Sequence, residues 1–182
     1  MKHKSVLLDE VINYLNIHED GTYVDATLGY AGHSGEVLKR LNEKGFLFAF
    51  DQDAEAIEYS KEKLSKISSN FKIIKSNFCN MKDYIDENVD GIMFDLGVSS
   101  PQLDEAERGF SFHKDAELDM RMDKSNPLNA KIVVNEYSYD KLVDIFYRFG
   151  EEKYSKSIAK SIIENRPINT TLELAEIIKN SV

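Results

Sequence analysis

Phe46-Leu47-Phe48-Ala49-Phe50 is an unbroken apolar run, closed by Asp51. A strand with one face in water alternates apolar and polar residues. A strand that is apolar throughout must be covered on both faces, as in a parallel sheet. Three further short strands read from the chain: Tyr23 to Leu28, Phe71 to Lys75 and Gly91 to Phe94. Helical patterns separate them. One begins near Ser34, carries Val37, Leu38 and Leu41, and is closed by Gly45. Ala54 to Ile67 is a charged amphipathic stretch, and Met81 to Glu87 reads as a short helix. Ahead of them all, Val6, Leu7, Val11, Ile12 and Leu15 recur at helical spacing within Ser5 to Leu15. Repeated alternation of helix and strand predicts an α/β fold with a doubly wound parallel sheet.

The pattern changes after the fourth strand. Residues 96–126 are rich in Gly, Ser and Asp and show little periodicity. From Leu128 onward only helices are expected. Tyr139 to Phe149 carries Leu142, Val143, Ile145, Phe146 and Phe149 on a broad apolar face, and Lys153 to Ile163 follows. Thr170 or Thr171 opens a last helix. Two domains are expected, 1–108 and 109–182. Four strands are few for a sheet that holds a nucleotide-sized ligand, and the chain stops inside a helical pattern at Asn180-Ser181-Val182. The expectation is either a sheet completed by something outside this chain or a chain that is a fragment.

Several function classes are disfavoured. No apolar run approaches the roughly 20 residues of a membrane span. The segment from Met1 to Leu8 lacks the long apolar core of a signal peptide, so a soluble cytoplasmic protein is expected. The single cysteine, Cys79, permits no internal disulfide, and His3, His18, His33 and His113 are scattered, so no metal site is expected. A formal net charge of −9 counts against a broad phosphate-binding surface. Arg148, Lys153, Lys156, Lys160 and Arg166 read either as a local basic face or as part of a solvated helix surface shared with Glu151, Glu152 and Glu164.

Four segments fall where strands end. The run Asp25 to Ser34 contains Gly29 and Gly32, which allow a sharp turn and close approach to a ligand. Its spacing departs from the G-x-G-x-x-G of dinucleotide enzymes; the bland reading is a strained turn without function. Asp51 is placed to accept hydrogen bonds from a ribose diol, while Asp53 reads as a helix cap. Asn77-Phe78 follows the third strand, where a Phe either packs against adenine or belongs to the core. Asp95-Leu-Gly-Val-Ser-Ser-Pro-Gln102 follows the fourth. Ligands of open α/β sheets bind outside the carboxyl ends of the strands, and all four segments meet that edge. Together they indicate an adenosine-bearing ligand without naming it.

The run Asp95 to Asp104, then Glu107-Arg-Gly-Phe-Ser-Phe112, then Leu118-Asp-Met-Arg-Met-Asp123 closely resembles the bacterial 16S rRNA cytosine-N4 methyltransferases. So do the opening His3 to Glu10, the Gly29 to Ser34 loop and Tyr147 to Lys153. The resemblance covers essentially the whole chain. It implies a class I, Rossmann-like methyltransferase domain carrying an inserted helical substrate domain. It also implies S-adenosyl-L-methionine as cofactor and a decoding-centre cytosine of 16S rRNA, within the small ribosomal subunit, as substrate. The family's cofactor contacts map onto Ala31, Gly32, His33, Asp51, Phe78, Asp95 and Gln102. The family usually has Gly at the position of Ala31; a methyl group fits there if φ is negative. Family members also continue beyond residue 182, so this chain reads as a truncated form that binds cofactor weakly or not at all unless a second copy completes the sheet. An open strand edge favours such a homodimer.

Within that reading Asp95 is the candidate acceptor for the protons of the cytosine amine. The target base must leave its stack to be reached. Arg108, Arg121 and Lys114 are candidates for phosphate contacts, and Phe110, Phe112 and His113 for base stacking; alternatively the two Phe residues anchor their loop. Competing readings are a methyltransferase with a non-RNA substrate, a non-catalytic adenosine-binding fragment, and an NAD dehydrogenase.

Overall fold

Four parallel strands lie in the order β3-β2-β1-β4: β1 (Thr22–Asp25), β2 (Phe46–Asp51), β3 (Phe71–Lys75) and β4 (Gly91–Met93). In this computed structural model, residues 5–182 are described; residues 1–4, including His3 of the opening motif, lie outside the described residues. Strand β2 explains its own composition. Leu47 and Ala49 point into one apolar cluster with Tyr23, Val37, Leu64 and Met93, while Phe48 and Phe50 point into another with Val24 and Ile74. Successive side chains alternate between faces, so a strand buried on both sides is apolar at every position.

The helices of this half sit against the first cluster. Ile12 of α1 (Leu8–Leu15), Val37 and Leu38 of α2 (Gly32–Leu38), and Leu64 of α3 (Ala54–Ser65) all belong to it. The second face is covered by Phe78, Met81, Ile85 and Val89. Their segment is a 3-10 turn at Phe78–Asp83 rather than the helix expected over Met81 to Glu87. Asn77 caps it by accepting the Cys79 N–H at 2.9 Å, and Tyr84 N–H returns to the Met81 carbonyl at 3.1 Å. Three-residue bonds of this kind rarely propagate. Strand β1 also ends sooner than the strand expected over Tyr23 to Leu28. Asp25 turns the chain by accepting the Thr27 N–H, after which Ala26 and Leu28 still donate to the Met93 and Phe50 carbonyls.

The chain divides into two compact units, Met1–Gly97 and Val98–Val182. Residues between that division and position 108 are fastened to residues that follow them. Met120 N–H donates to the Arg108 carbonyl at 3.0 Å, and Lys114 Nζ donates to the Asp104 carbonyl at 3.2 Å. The second unit is helical: α4 (Ser100–Asp104), a 3-10 turn at Ala106–Arg108, α5 (Ala130–Glu136), α6 (Tyr139–Arg148), α7 (Ser155–Glu164) and α8 (Thr171–Lys179). Its core joins Leu118, Val134, Leu142, Ile158, Ile162 and Ile168. Phe149, expected on the buried face of α6, lies beyond the helix end and is 82% exposed. Among the described residues no helix is long and apolar enough to cross a membrane.

Candidate functional site

The order β3-β2-β1-β4 reverses direction between β1 and β4. Connections from β1 through β3 run to one side, and β4 then returns to the other. Such a switch point opens a crevice at the carboxyl ends of the two strands. A cleft of about 120 Å³ lies at that place. Leu7, Val11, Met93 and Phe94 form apolar walls, and Asp25, His33 and Asp95 are its polar groups.

Each acid at the edge is held differently. Asp25 is buried; its Oδ1 accepts the Thr27 N–H at 3.0 Å and its Oδ2 the Ser34 hydroxyl at 2.6 Å. Burial pushes its carboxyl above the ordinary 3.8, against the lowering effect of the Ser34 and Thr27 hydrogen bonds and of the His33 charge. Asp51 is half-buried and works as a fastener. Its Oδ2 accepts the Gly29 N–H at 2.7 Å, and its Oδ1 accepts the N–H groups of Gln52 and Asp53 at 2.7 and 2.9 Å. A carboxylate offers about four lone-pair sites, so Oδ2 retains one for a ligand hydroxyl. Asp95 is the most open of the three, with its side chain 48% exposed. Its main-chain N–H donates to Thr27 Oγ1 at 2.7 Å, which ties the end of β4 to the turn after β1.

The turn itself is tightly built. Ala31 N–H closes on the Leu28 carbonyl at 2.9 Å, with Gly29 at φ 48° and Ala31 at φ 53°. Ala31 therefore does not meet the condition of a negative φ under which its methyl group fits without strain. Ala31 is left-handed and fully buried at the head of α2, a conformation that costs a non-glycine residue roughly 1–2 kcal/mol. At Gly32 an added Cβ would stand 1.7 Å from Ser5 Oγ, so the segment before α1 crosses directly over this glycine. His33 is buried, with Nε2 3.0 Å from the Val6 carbonyl and Nδ1 3.8 Å from Asp95 Oδ2. It thus joins the N-terminal segment to the cleft. Phe78 is half-buried and meets Phe94 edge-on at 5.4 Å.

The remaining sequence candidates belong to the second unit. Gln102 is buried and completes the capping box of α4, its Oε1 accepting the Ser99 N–H at 3.0 Å. Arg108 is 2% exposed and donates through Nη2 to the carbonyls of Arg121 and Met122, so its charge is turned inward. Arg121 grips Asp119 through Nε and Nη2 at 2.6 and 2.9 Å and donates through Nη1 to the carbonyls of Lys124 and Asn126. This pairing holds the Asp119 carboxyl below its usual range. Both arginines bind their own loop, which a phosphate would have to displace. Phe110 is half-buried, whereas Phe112 is 63% exposed beside the His113 ring at 4.7 Å. Sequence reasoning missed Ser60 and Lys63, and did not single out Thr27 within the Asp25 to Ser34 run; all three bond the strand-end loops. Ser60 carried a signal: it interrupts the buried stripe Ala56-Ser60-Leu64 of α3 with a hydroxyl that needs a partner.

The model of the MraW methylase family matches residues 1–182. Over its full length the chain is 56% identical to ribosomal RNA small subunit methyltransferase H of Mycoplasma mycoides subsp. mycoides, and covers 60% of that protein. It is 55% identical to the protein of the same name from Mycoplasma capricolum, again covering 60%. A solved structure of a candidate rRNA methylase from Clostridium thermocellum aligns with a TM-score of 0.48 at 30% identity, over 54% of each chain. The chain spans about 60% of the length of the curated relatives it matches. With a family pattern matched from its first residue to its last, on a parallel sheet whose cleft lies at the switch point, this chain belongs to the MraW methylase family.

Proposed function

We propose that this chain is the cofactor-binding part, 1–108, and a helical substrate-recognition part, 109–182, of an S-adenosyl-L-methionine-dependent enzyme. It methylates N4 of a decoding-centre cytosine in 16S ribosomal RNA within the small subunit. Membership of the family and the names of its relatives favour an rRNA substrate. The observation that carries the reading is the cleft between the ends of β1 and β4, with Asp95 at its mouth and the Gly29–Gly32 turn beside it.

The donor set suits the cofactor. Asp51 Oδ2 has capacity for a ribose hydroxyl, Phe78 offers a ring to adenine, and the turn that Asp51 fastens leads through Ala31 and Gly32 to His33, whose ring lies 3.8 Å from Asp95. When bound, S-adenosylmethionine supplies an electrophilic methyl group on a positively charged sulfur. The chain's own task is alignment. The exocyclic amine of cytosine is a poor nucleophile because its lone pair is delocalised into the ring. The Asp95 carboxylate accepts a hydrogen bond from the amine, which raises electron density on nitrogen, and then takes the proton. Leu7, Val11, Met93 and Phe94 give the cleft apolar walls. Phe112 offers an exposed ring to an unstacked base.

The test is calorimetric titration of this chain with S-adenosylmethionine, with NAD as control, paired with an activity assay of the full-length protein on small subunits. Selective but weak binding of S-adenosylmethionine is expected. Asp95→Asn should leave that binding within about threefold and lower turnover by about a hundredfold or more. Binding of NAD instead, or an Asp95→Asn enzyme with full turnover, overturns the reading.

A further inference from the structure

The glycine turn is held from behind by α3. Ser60, on the buried stripe of α3, donates its hydroxyl to the Gly29 carbonyl at 2.7 Å. One turn further on, Lys63 donates its ammonium to the Tyr30 carbonyl at 2.8 Å. The Tyr30 and Tyr59 rings pack at 5.1 Å beside them. On the opposite side Asp51 accepts the Gly29 N–H, and the Ala31 N–H closes onto Leu28. A trans peptide is planar with C=O and N–H opposed, so fixing one end aims the other. Three successive peptides are therefore set. Leu28–Gly29 is held at both ends, Gly29–Tyr30 at its oxygen, and Tyr30–Ala31 at both ends.

We propose that Lys63 and Ser60 are positioning residues for cofactor binding: from α3 they hold the Gly29 and Tyr30 carbonyls and thereby keep Ala31 left-handed. The inference rests on the cofactor reading above. Neither residue is near the cleft, and each acts through the backbone it fastens. The strain at Ala31 gives them a reason to exist, because a disfavoured conformation persists only where its surroundings over-determine it. Burial holds the Lys63 ammonium below the ordinary lysine range, Lys39 adds to this and Glu36 opposes it. A partly desolvated ammonium on a carbonyl makes a stronger hydrogen bond than a neutral donor would.

The test uses Lys63→Met, which keeps the apolar stem and removes the donor, Lys63→Arg, which keeps a cation, and Ser60→Ala. Two readouts are taken on the 182-residue chain. The first is S-adenosylmethionine affinity by calorimetry; Kd should rise about tenfold in Lys63→Met and be largely restored in Lys63→Arg. The second is amide exchange at Ala31 in the ligand-free protein, which should quicken about tenfold while Phe48 in β2 keeps its rate. Ser60→Ala should move both in the same direction. A purely structural role predicts a lower urea midpoint, equal acceleration at Phe48 and an unchanged Kd, and that result overturns the proposal. So does a Lys63→Met protein with wild-type affinity and wild-type Ala31 exchange. A wild-type chain that binds no S-adenosylmethionine overturns the reading that these 182 residues hold the cofactor by themselves, and with it this use of the clamp. The Ala31 exchange rates still report whether α3 holds the turn.

Discussion

Asp25 and Asp95 follow adjacent strands and meet opposite fates. Asp95 keeps half its side chain in solvent, whereas Asp25 is enclosed and its carboxyl is raised above 3.8, chiefly by burial. Between 3.8 and the folded value the native protein holds a proton that the unfolded chain has released. The stability this confers is complete below 3.8 and is lost as pH rises through the folded value. Asp25→Asn keeps an acceptor for Thr27 and a polar partner for Ser34 but does not titrate. Urea midpoints taken from pH 3.8 upward should therefore show wild type losing stability relative to Asp25→Asn as pH rises. A constant difference would show that Asp25 does not titrate as burial requires. Asp51 and Asp95 could be read as edge residues from the sequence, since an acid directly after an apolar strand emerges at the carboxyl end of the sheet. The partnership of Thr27 with Asp95 could not. They are 68 positions apart and become neighbours only when the topology sets β4 beside β1. The charges of Arg108 and Arg121 were visible too, but only the fold shows that carbonyls and Asp119 receive them.

Helices announced themselves where a cap preceded a periodic apolar face. Thr170 opens α8 with a capping box, its hydroxyl accepting the Glu173 N–H while Glu173 reaches back to the Thr170 N–H. Thr170→Ala should cost about 1 kcal/mol, seen as a lower urea midpoint at unchanged slope, with Thr170→Ser close to wild type. A silent Thr170→Ala would mean that α8 is held by packing alone. Helix α4 escaped notice because it is a single short turn in a Gly- and Ser-rich stretch. Its signals were Pro101 and the Ser99–Gln102 box rather than an apolar stripe. The turn after β3 was misread as a helix because Met81 and Ile85 have helical spacing, yet they serve as a patch over Phe48 and Phe50. Phe149 counted toward the face of α6 by periodicity, but the helix stops at Arg148.

Among the described residues the protein carries three apolar clusters, one on each face of the sheet and one in the helical unit, and its sequence has a net charge of −9. Non-specific RNA binding depends on cations displacing the counterions of phosphates, and this chain is poorly supplied for it. Unrelated RNA should show no mobility shift with the chain at physiological salt, and recognition of a ribosomal substrate should rest on shape and stacking more than on net attraction. Tight binding to arbitrary RNA would contradict that. The parallel sheet and the helical second half could both be read from the pattern of apolar residues. The switch point could not, because strand order is a property of the assembled sheet. A last consequence follows from the fastened turn. A loop pinned at three consecutive peptides has already lost its conformational freedom by the time the chain has folded, so a ligand need not order it again. The same stiffness allows little accommodation. A nucleoside whose sugar sits slightly out of place would find no yielding backbone, so selectivity at this edge is fixed at folding rather than at encounter.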